Sequence, residues 1–234
     1  MNKLLCLGAK IASTQSGSIS FSQSGEDAIV DFVFRALGVK APTYLDIGAN
    51  EPKRFSNTFH FYLKGSRGVL VEPDPALYKT LVQERPGDKC LQVGVAATEE
   101  AGRPFFVMST PTLNTFSESE AKRYEETGLH KIVRVEKIPV LSVERIINEQ
   151  FNGAAPDFLT LDVEGLDLEI IKSIDFNKHR PTVLCVETIT FSEDRSERKL
   201  HEIVELIESA GYMVYADTYI NTIFVDRKKW QSRA

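Results

Sequence analysis

The chain has 234 residues, of which 42% are hydrophobic and 26% charged, with a net charge of −5. That is enough apolar content for one sizeable core and fits a single α/β domain over 1–234. The negative balance argues against a nucleic-acid partner, which calls for a basic face; Arg227, Lys228 and Lys229 make only a short terminal run.

Residues 1–20 are small and polar and read as loosely ordered. Their apolar run LLCL is shorter than the roughly 7–15 residues of a signal-peptide core, and no stretch approaches the ~18 apolar residues of a membrane span. A cytoplasmic protein is expected. "GEDAIVDFVFRALG" has helical periodicity and stops at Gly38. "TYLDIG" is an apolar strand ending at glycine, and "SNTFHFYLKG" a short helix capped by Ser56 or Asn57. "RGVLVEP" is a second strand stopped by Pro73, "PALYKTLVQERPG" a helix opened by proline, and "KCLQVGVAA" a third strand.

Residues 98–140 break the rhythm. Two strand-like runs, "PFFVMS" and "IVRVEKIPV", flank a polar stretch with a helical tail from about Glu118. An insertion of this kind is expected over an active site or at a sheet edge. "SVERIINEQF" is a helix capped by Ser142, "PDFLTLDVEG" a fourth core strand, "LDLEIIKSI" a helix and "PTVLCVET" a fifth strand. "SERKLHEIVELIESAG" predicts a long amphipathic helix, and "YMVYADTY" with "NTIFVDR" an antiparallel hairpin. The alternation implies a doubly wound, three-layer α/β/α sheet of seven main strands, parallel apart from the closing hairpin. Cys6, Cys90 and Cys185 are odd in number and widely spaced, so neither a zinc site nor a disulfide framework is indicated. Cys90 and Cys185 read as buried thiols.

In an open parallel sheet, ligands bind at the carboxyl ends of the strands. Here those ends carry Asp46, Gly48 and Asn50; Glu72 and Pro73; Gly94 and Val95; Asp162 and Glu164; and Glu187. Five carboxylates on one rim predict a polar functional cleft, because burying them without partners is costly. Asp157 and Asp167 read instead as caps or surface acids. Glu72 follows Gly48 by 24 positions at the end of the next strand, where an acidic residue accepts vicinal ribose hydroxyls. An adenosine cofactor is implied. A dinucleotide needs G-x-G-x-x-G so that its pyrophosphate can approach the backbone. The turn here is Gly48-Ala49-Asn50-Glu51-Pro52, with one glycine and an acid that repels phosphate. S-adenosylmethionine has no phosphate and suits the turn better, as the closing hairpin suits a methyltransferase sheet.

Taken in order, "SQSGEDAIV", "YLDIGANEPKRFSNT", "GVLVEPDP", "DFLTLDVEGLDLEIIKSIDF", "RPTVLCVET" and "NTIFV" resemble the FkbM-type S-adenosylmethionine-dependent methyltransferases, from about Ser22 to Asp226. One departure is Pro52, where many members have glycine; it resembles the subgroup in which S-N-T follows, as Ser56-Asn57-Thr58 does. The resemblance implies O-methylation of a hydroxyl on a sugar or glycosylated natural product. Such a hydroxyl needs activation. Asp162, Glu164 and Glu187 are the candidate bases; the same trio could hold Mg²⁺, with the metal-free reading favoured. Asn114 and Thr115 in the insertion, and His60 on the helix after the first turn, are candidate acceptor contacts. Gln23, Glu26 and Asp27 match the family's N-terminal motif and read equally well as a cofactor cover or as a helix start. Two other readings compete: a catalytically silent adenosine-binding module in a larger assembly, against which the intact acidic rim speaks, and a nicotinamide oxidoreductase, against which the missing glycines speak. The acceptor and the oligomeric state are not legible.

Overall fold

The computed structural model describes residues 19–190 and 196–233; Cys6 and nearly all of the segment 1–20 lie outside them. The chain runs α1 (Glu26–Ala36), β1 (Tyr44–Ile47), α2 (Phe59–Leu63), β2 (Gly68–Val71), α3 (Pro75–Glu84), β3 (Lys89–Leu91), β4 (Gly94–Val95) and β5 (Glu100–Met108). It continues through a 3₁₀ turn (Pro111–Leu113) to α4 (Glu118–Glu126), β6 (Ile132–Leu141), α5 (Val143–Gln150), β7 (Phe158–Leu161), α6 (Asp167–Ser173), β8 (Val183–Glu187), α7 (His201–Ser209), β9 (Tyr212–Asp217), β10 (Asn221–Asp226) and α8 (Arg227–Gln231).

Seven strands form one mixed sheet in the order β3-β2-β1-β7-β8-β10-β9. The first five are parallel, and β10 enters antiparallel between β8 and β9. Strands β1, β7 and β8 are buried at every position, which is why their sequences are continuously apolar rather than alternating. Two cores cover the faces. One receives Ile146 and Ile147 of α5, Ile170 and Ile171 of α6, and Ile203 and Ile207 of α7. The other receives Val30, Val33 and Phe34 of α1, Phe61 of α2 and Leu81 of α3. Helix starts follow the expected chemistry: Asp74 and Ser142 accept N–H groups of the first turns of α3 and α5, and Ser56 Oγ accepts from Phe59 N at 3.1 Å at the start of α2.

Three expectations are corrected. The run "KCLQVGVAA" is not one strand: β3 stays in the main sheet, while β4 leaves it to pair with β6 in a separate three-stranded sheet, β4-β6-β5. Gly94 permits the departure, since a Cβ there would meet the Phe116 ring at 2.3 Å. Helix α7 begins at His201 rather than Ser196, because Lys199 is taken by an antiparallel bridge to Ile189. Cys185 is buried, but Cys90 is only partly so, on edge strand β3. The short α8, started by Asp226 accepting Lys229 N, carries too few apolar positions to be read from sequence.

Candidate active site

Because β1, β2, β7 and β8 run parallel and in register, their carboxyl ends open on one side of the sheet. A cleft of about 440 Å³ lies there, lined by Asp46, Gly48, Asn50, Glu72, Pro73, Gly94, Val95, Asp162, Glu164 and Glu187. Gly48 fixes how the first turn meets this rim. Its φ is 83°, and a Cβ would stand 1.8 Å from the Asp162 carbonyl oxygen, so only glycine lets the turn lie against the end of β7. Three successive N–H groups of the turn already have partners: Gly48 and Ala49 donate to Val71 O at 3.0 and 3.1 Å, and Asn50 donates to Glu72 Oε2 at 2.9 Å. A pyrophosphate would find no free backbone nest in this turn.

Glu72 is the hinge between turn and second strand. Oε2 holds Asn50 N and Oε1 holds Asp74 N at 2.8 Å, leaving further lone pairs on each oxygen for incoming hydroxyls. Burial pushes its carboxyl up to about 7, against the pull of the Asp74 and Asn50 N–H groups. Beside it stands an apolar wall containing Val93, Val95 and the Phe105–Phe116 pair, whose ring centroids are 4.7 Å apart.

Asp46 rests on a buried relay that the sequence did not announce. Thr58 Oγ1 donates to Asp46 Oδ2 at 2.6 Å and accepts from Arg85 Nη2 at 3.2 Å. Arg85 is 1% exposed; it donates to Asp88 Oδ2 at 2.8 Å, Tyr44 Oη at 3.0 Å and Pro52 O at 3.2 Å. The guanidinium thus holds both ends of the turn that carries Asp46 and Pro52. Burial raises the Asp46 carboxyl to about 6, opposed by the Thr58 bond and the Arg85 charge. At the end of α3, Arg85 has no sequence pattern to mark it as buried. Asn57, read as a helix cap, instead reaches across to Thr160 Oγ1 on β7 at 2.9 Å and lines the cleft.

Asp162, Glu164 and Glu187 bring carboxylate oxygens within 4.8 Å of one another. Burial, then the Asp46 charge, raises Asp162 to about 6; burial and the neighbouring Asp162 carboxylate hold Glu164 and Glu187 well above the usual range. Asp162 and Glu187 are hydrogen-bonded to each other, and Tyr124 Oη donates to Glu164 Oε2 at 2.9 Å. Glu164 has a φ of 52° and its carbonyl accepts from Thr115 Oγ1 at 2.8 Å. The trio could hold a divalent cation through oxygen ligands. Asp167, read as a cap or surface acid, is instead buried, raised to about 7 by burial and the Asp162 charge, and closes the turn by accepting Val163 N at 3.2 Å. Asp157 fastens Thr43, at the opposite end of the strands.

The insertion covers the cleft with Pro111 to Asn114 and Phe116. Asn114 lines it, with Oδ1 accepting Met108 N at 2.8 Å and Nδ2 donating to Asp74 Oδ2 at 3.3 Å. Thr115 does not: it is buried and supports Glu164 from behind. His60 is also outside the cleft, with Nε2 3.5 Å from Asp31 Oδ1, because its face of α2 turns toward α1. Gln23 lines the cleft, whereas Glu26 and Asp27 are structural. Glu26 accepts Thr218 Oγ1 at 2.6 Å and ties α1 to the closing hairpin; Asp27 accepts Phe21 N at 2.7 Å.

A doubly wound sheet closed by an antiparallel hairpin, with an acid just past β2 and no phosphate nest in the first turn, defines the S-adenosylmethionine-dependent methyltransferase class. The chain belongs to the methyltransferase FkbM domain family, whose sequence model matches residues 46–214. No curated protein matches the chain significantly. Among solved structures, it is similar to a TehB-like SAM-dependent methyltransferase from Corynebacterium glutamicum (10% identity, 96% of this chain and 97% of that one, TM-score 0.43). It is also similar to an O-methyltransferase from Bacillus cereus in complex with SAH (12%, 95% and 88%, 0.43). A third is a 1,6-didemethyltoxoflavin-N1-methyltransferase from Burkholderia thailandensis (9%, 87% and 77%, 0.42). No helix among the described residues is long and apolar enough to cross a membrane.

Proposed function

We propose that the protein methylates a hydroxyl oxygen on a sugar or glycosylated natural product. The observation that carries this reading is the Asp162–Glu164–Glu187 cluster in the same cleft as Glu72 and the Gly48 turn. S-adenosylmethionine supplies an electrophilic methyl group on a sulfonium, whose departure as a neutral thioether needs no acid. The chain's task is to bind, align and deprotonate.

Glu72 takes the two ribose hydroxyls on its unused lone pairs, with Pro73, Gly94 and Val95 beside it against the apolar wall for the adenine ring. Asp46, Gly48 and Asn50 face the methionine portion, where carboxylates favour a sulfonium and an ammonium. Asp162 and Glu187 stand at the ends of adjacent strands and share a hydrogen bond. Their raised proton affinity suits a general base near neutral pH. As the acceptor oxygen bonds to the methyl carbon, the sulfur–carbon pair stays with sulfur and the hydroxyl proton passes to the Asp162–Glu187 pair. Glu164, fixed by Tyr124 and Thr115, shapes the pocket around them. Aligning oxygen, carbon and sulfur supplies the rest of the acceleration. This scheme assigns the proton to the carboxylates and no step to a metal.

Calorimetric titration with S-adenosylmethionine, S-adenosylhomocysteine and NAD tests the cofactor half. Both sulfur compounds should saturate the protein, NAD should not, and Glu72→Ala should lose about 1–3 kcal/mol, the range for removing a hydrogen-bond partner to charge. Incubation with a panel of glycosides, followed by mass spectrometry, tests the acceptor half. A methyl gain on nitrogen-containing acceptors alone would refute O-methylation.

A further inference from the structure

Two exposed aromatic side chains that line the cleft take no part in the scheme above. Phe55 and Tyr219 both line it and are 47% and 61% exposed. Both hold left-handed backbone, with φ of 59° and 78°, a conformation uncommon for bulky residues. Neither is loosely held. Phe55 lies between Pro52, whose carbonyl is bound by Arg85, and Asn57, which is tied to β7. Tyr219 N donates to Asp217 Oδ1 at 2.8 Å and its carbonyl accepts from Lys199 Nζ at 3.0 Å. The next residue, Ile220, accepts Thr188 N at 2.9 Å, so the Tyr219 turn overhangs the end of β8 immediately past Glu187.

Glu197 completes the group. Its Oε1 accepts the Tyr219 hydroxyl at 2.9 Å, while Oε2, in the cleft lining, is buried and has no hydrogen-bond partner among the described residues. A buried, unpaired carboxylate oxygen calls for a donor. The charge around it narrows the choice. Among the described residues lining the cleft are six carboxylates, Asp46, Glu72, Asp162, Glu164, Glu187 and Glu197, and no Lys, Arg or His. An acceptor bearing phosphate or carboxylate would be repelled. Arg54 sits over the Phe55 ring at 4.4 Å, so a ligand meets that ring where Arg54 leaves it uncovered.

We propose that Phe55, Tyr219 and Glu197 form an outer subsite that seats the ring of a non-anionic, polyhydroxylated acceptor, with ring C–H bonds against the aromatic rings and one hydroxyl on Glu197 Oε2. The subsite rests on the sugar-hydroxyl reading above and deepens it by excluding phosphorylated and acidic sugars. An aromatic face carries the negative end of its quadrupole and attracts the polarised C–H edge of such a ring.

The test is saturation-transfer NMR on the full chain saturated with S-adenosylhomocysteine. The probes are methyl α-glucopyranoside, methyl α-rhamnopyranoside and methyl β-N-acetylglucosaminide, with glucose 6-phosphate and glucuronic acid as anionic counterparts. The neutral glycosides should show transfer to ring C–H protons and the anionic sugars none. Phe55→Ala, Tyr219→Ala and Glu197→Ala should each weaken the glycosides about tenfold, with affinity for S-adenosylhomocysteine held within about twofold as the check on folding. Normal S-adenosylhomocysteine binding with no glycoside transfer, with equal transfer in all three variants, or with glucose 6-phosphate preferred would overturn the subsite. Failure of S-adenosylhomocysteine itself to bind would overturn the methyl-transfer reading beneath it, a different result.

Discussion

The Thr58 hydroxyl donates to Asp46 Oδ2 at 2.6 Å, and this bond sets how far the first-strand carboxylate departs from an ordinary acid. Burial raises Asp46 to about 6, and the Thr58 bond, which favours the charged form, opposes it. Cofactor affinity should therefore fall as pH drops below ~6, as Asp46 loses the charge that attracts a cationic cofactor. Thr58→Val removes the opposing bond and should move this acid limb to higher pH. Titrations with S-adenosylmethionine between pH 5 and 8 read the shift; an unmoved limb would assign it to another group.

Stability should fall as pH rises through neutrality. Asp46 and Asp162 are raised to about 6, and Glu72 and Asp167 to about 7, from unfolded values of 3.8 and 4.5. The folded chain holds protons that the unfolded chain has released, so unfolding releases protons and is favoured by raising pH from about 4 to 7. Glu26, lowered by its hydrogen bonds despite burial, works in the opposite sense only as pH falls below 4.5, the usual value for a glutamate. Urea unfolding at pH 5.5 and 7.5 should differ by several kcal/mol in favour of the lower pH, since each of the four groups contributes on the order of 1–2 kcal/mol over that interval. A flat profile would contradict the buried, unneutralised rim.

Asp162→Asn and Glu187→Gln should each lower kcat by about 10²–10⁴ while leaving S-adenosylhomocysteine affinity nearly intact, as removal of a proton acceptor requires. Activity should persist in EDTA. If instead EDTA abolishes turnover and Mg²⁺ restores it, the three carboxylates act as ligands and not as a base.

Gly48→Ala should cost at least ~2 kcal/mol, since overpacking adds to the strain of a left-handed backbone. The added methyl would stand 1.8 Å from the Asp162 carbonyl, which is backbone and cannot rotate away. Gly38 also has a positive φ, of 73°, but a Cβ there meets nothing within 4 Å, so Gly38→Ala isolates the backbone contribution from the clash. Equal losses for the two variants, by urea denaturation, would remove the packing argument.

The sequence alone determined the strand–helix alternation of the main sheet, the closing hairpin and the row of acids at the strand ends. Hydrophobic periodicity, glycine stops and helix caps are local signals, and β1, β7 and β8 display theirs over consecutive residues. It also placed Glu72 by its distance from Gly48. Only the tertiary structure decided which polar residues meet. Thr115 and His60 have the composition of substrate contacts, yet one supports Glu164 and the other faces Asp31. Asp167 looks like a helix-start acid and is buried behind the cleft, while Arg85 ends a helix and is buried beneath the Asp46 turn. Tyr219 and Glu197 meet only because the β9–β10 turn folds back over the end of β8. These outcomes depend on which face of an element points inward and on contacts between residues far apart in the chain, and neither is encoded in the spacing of neighbours.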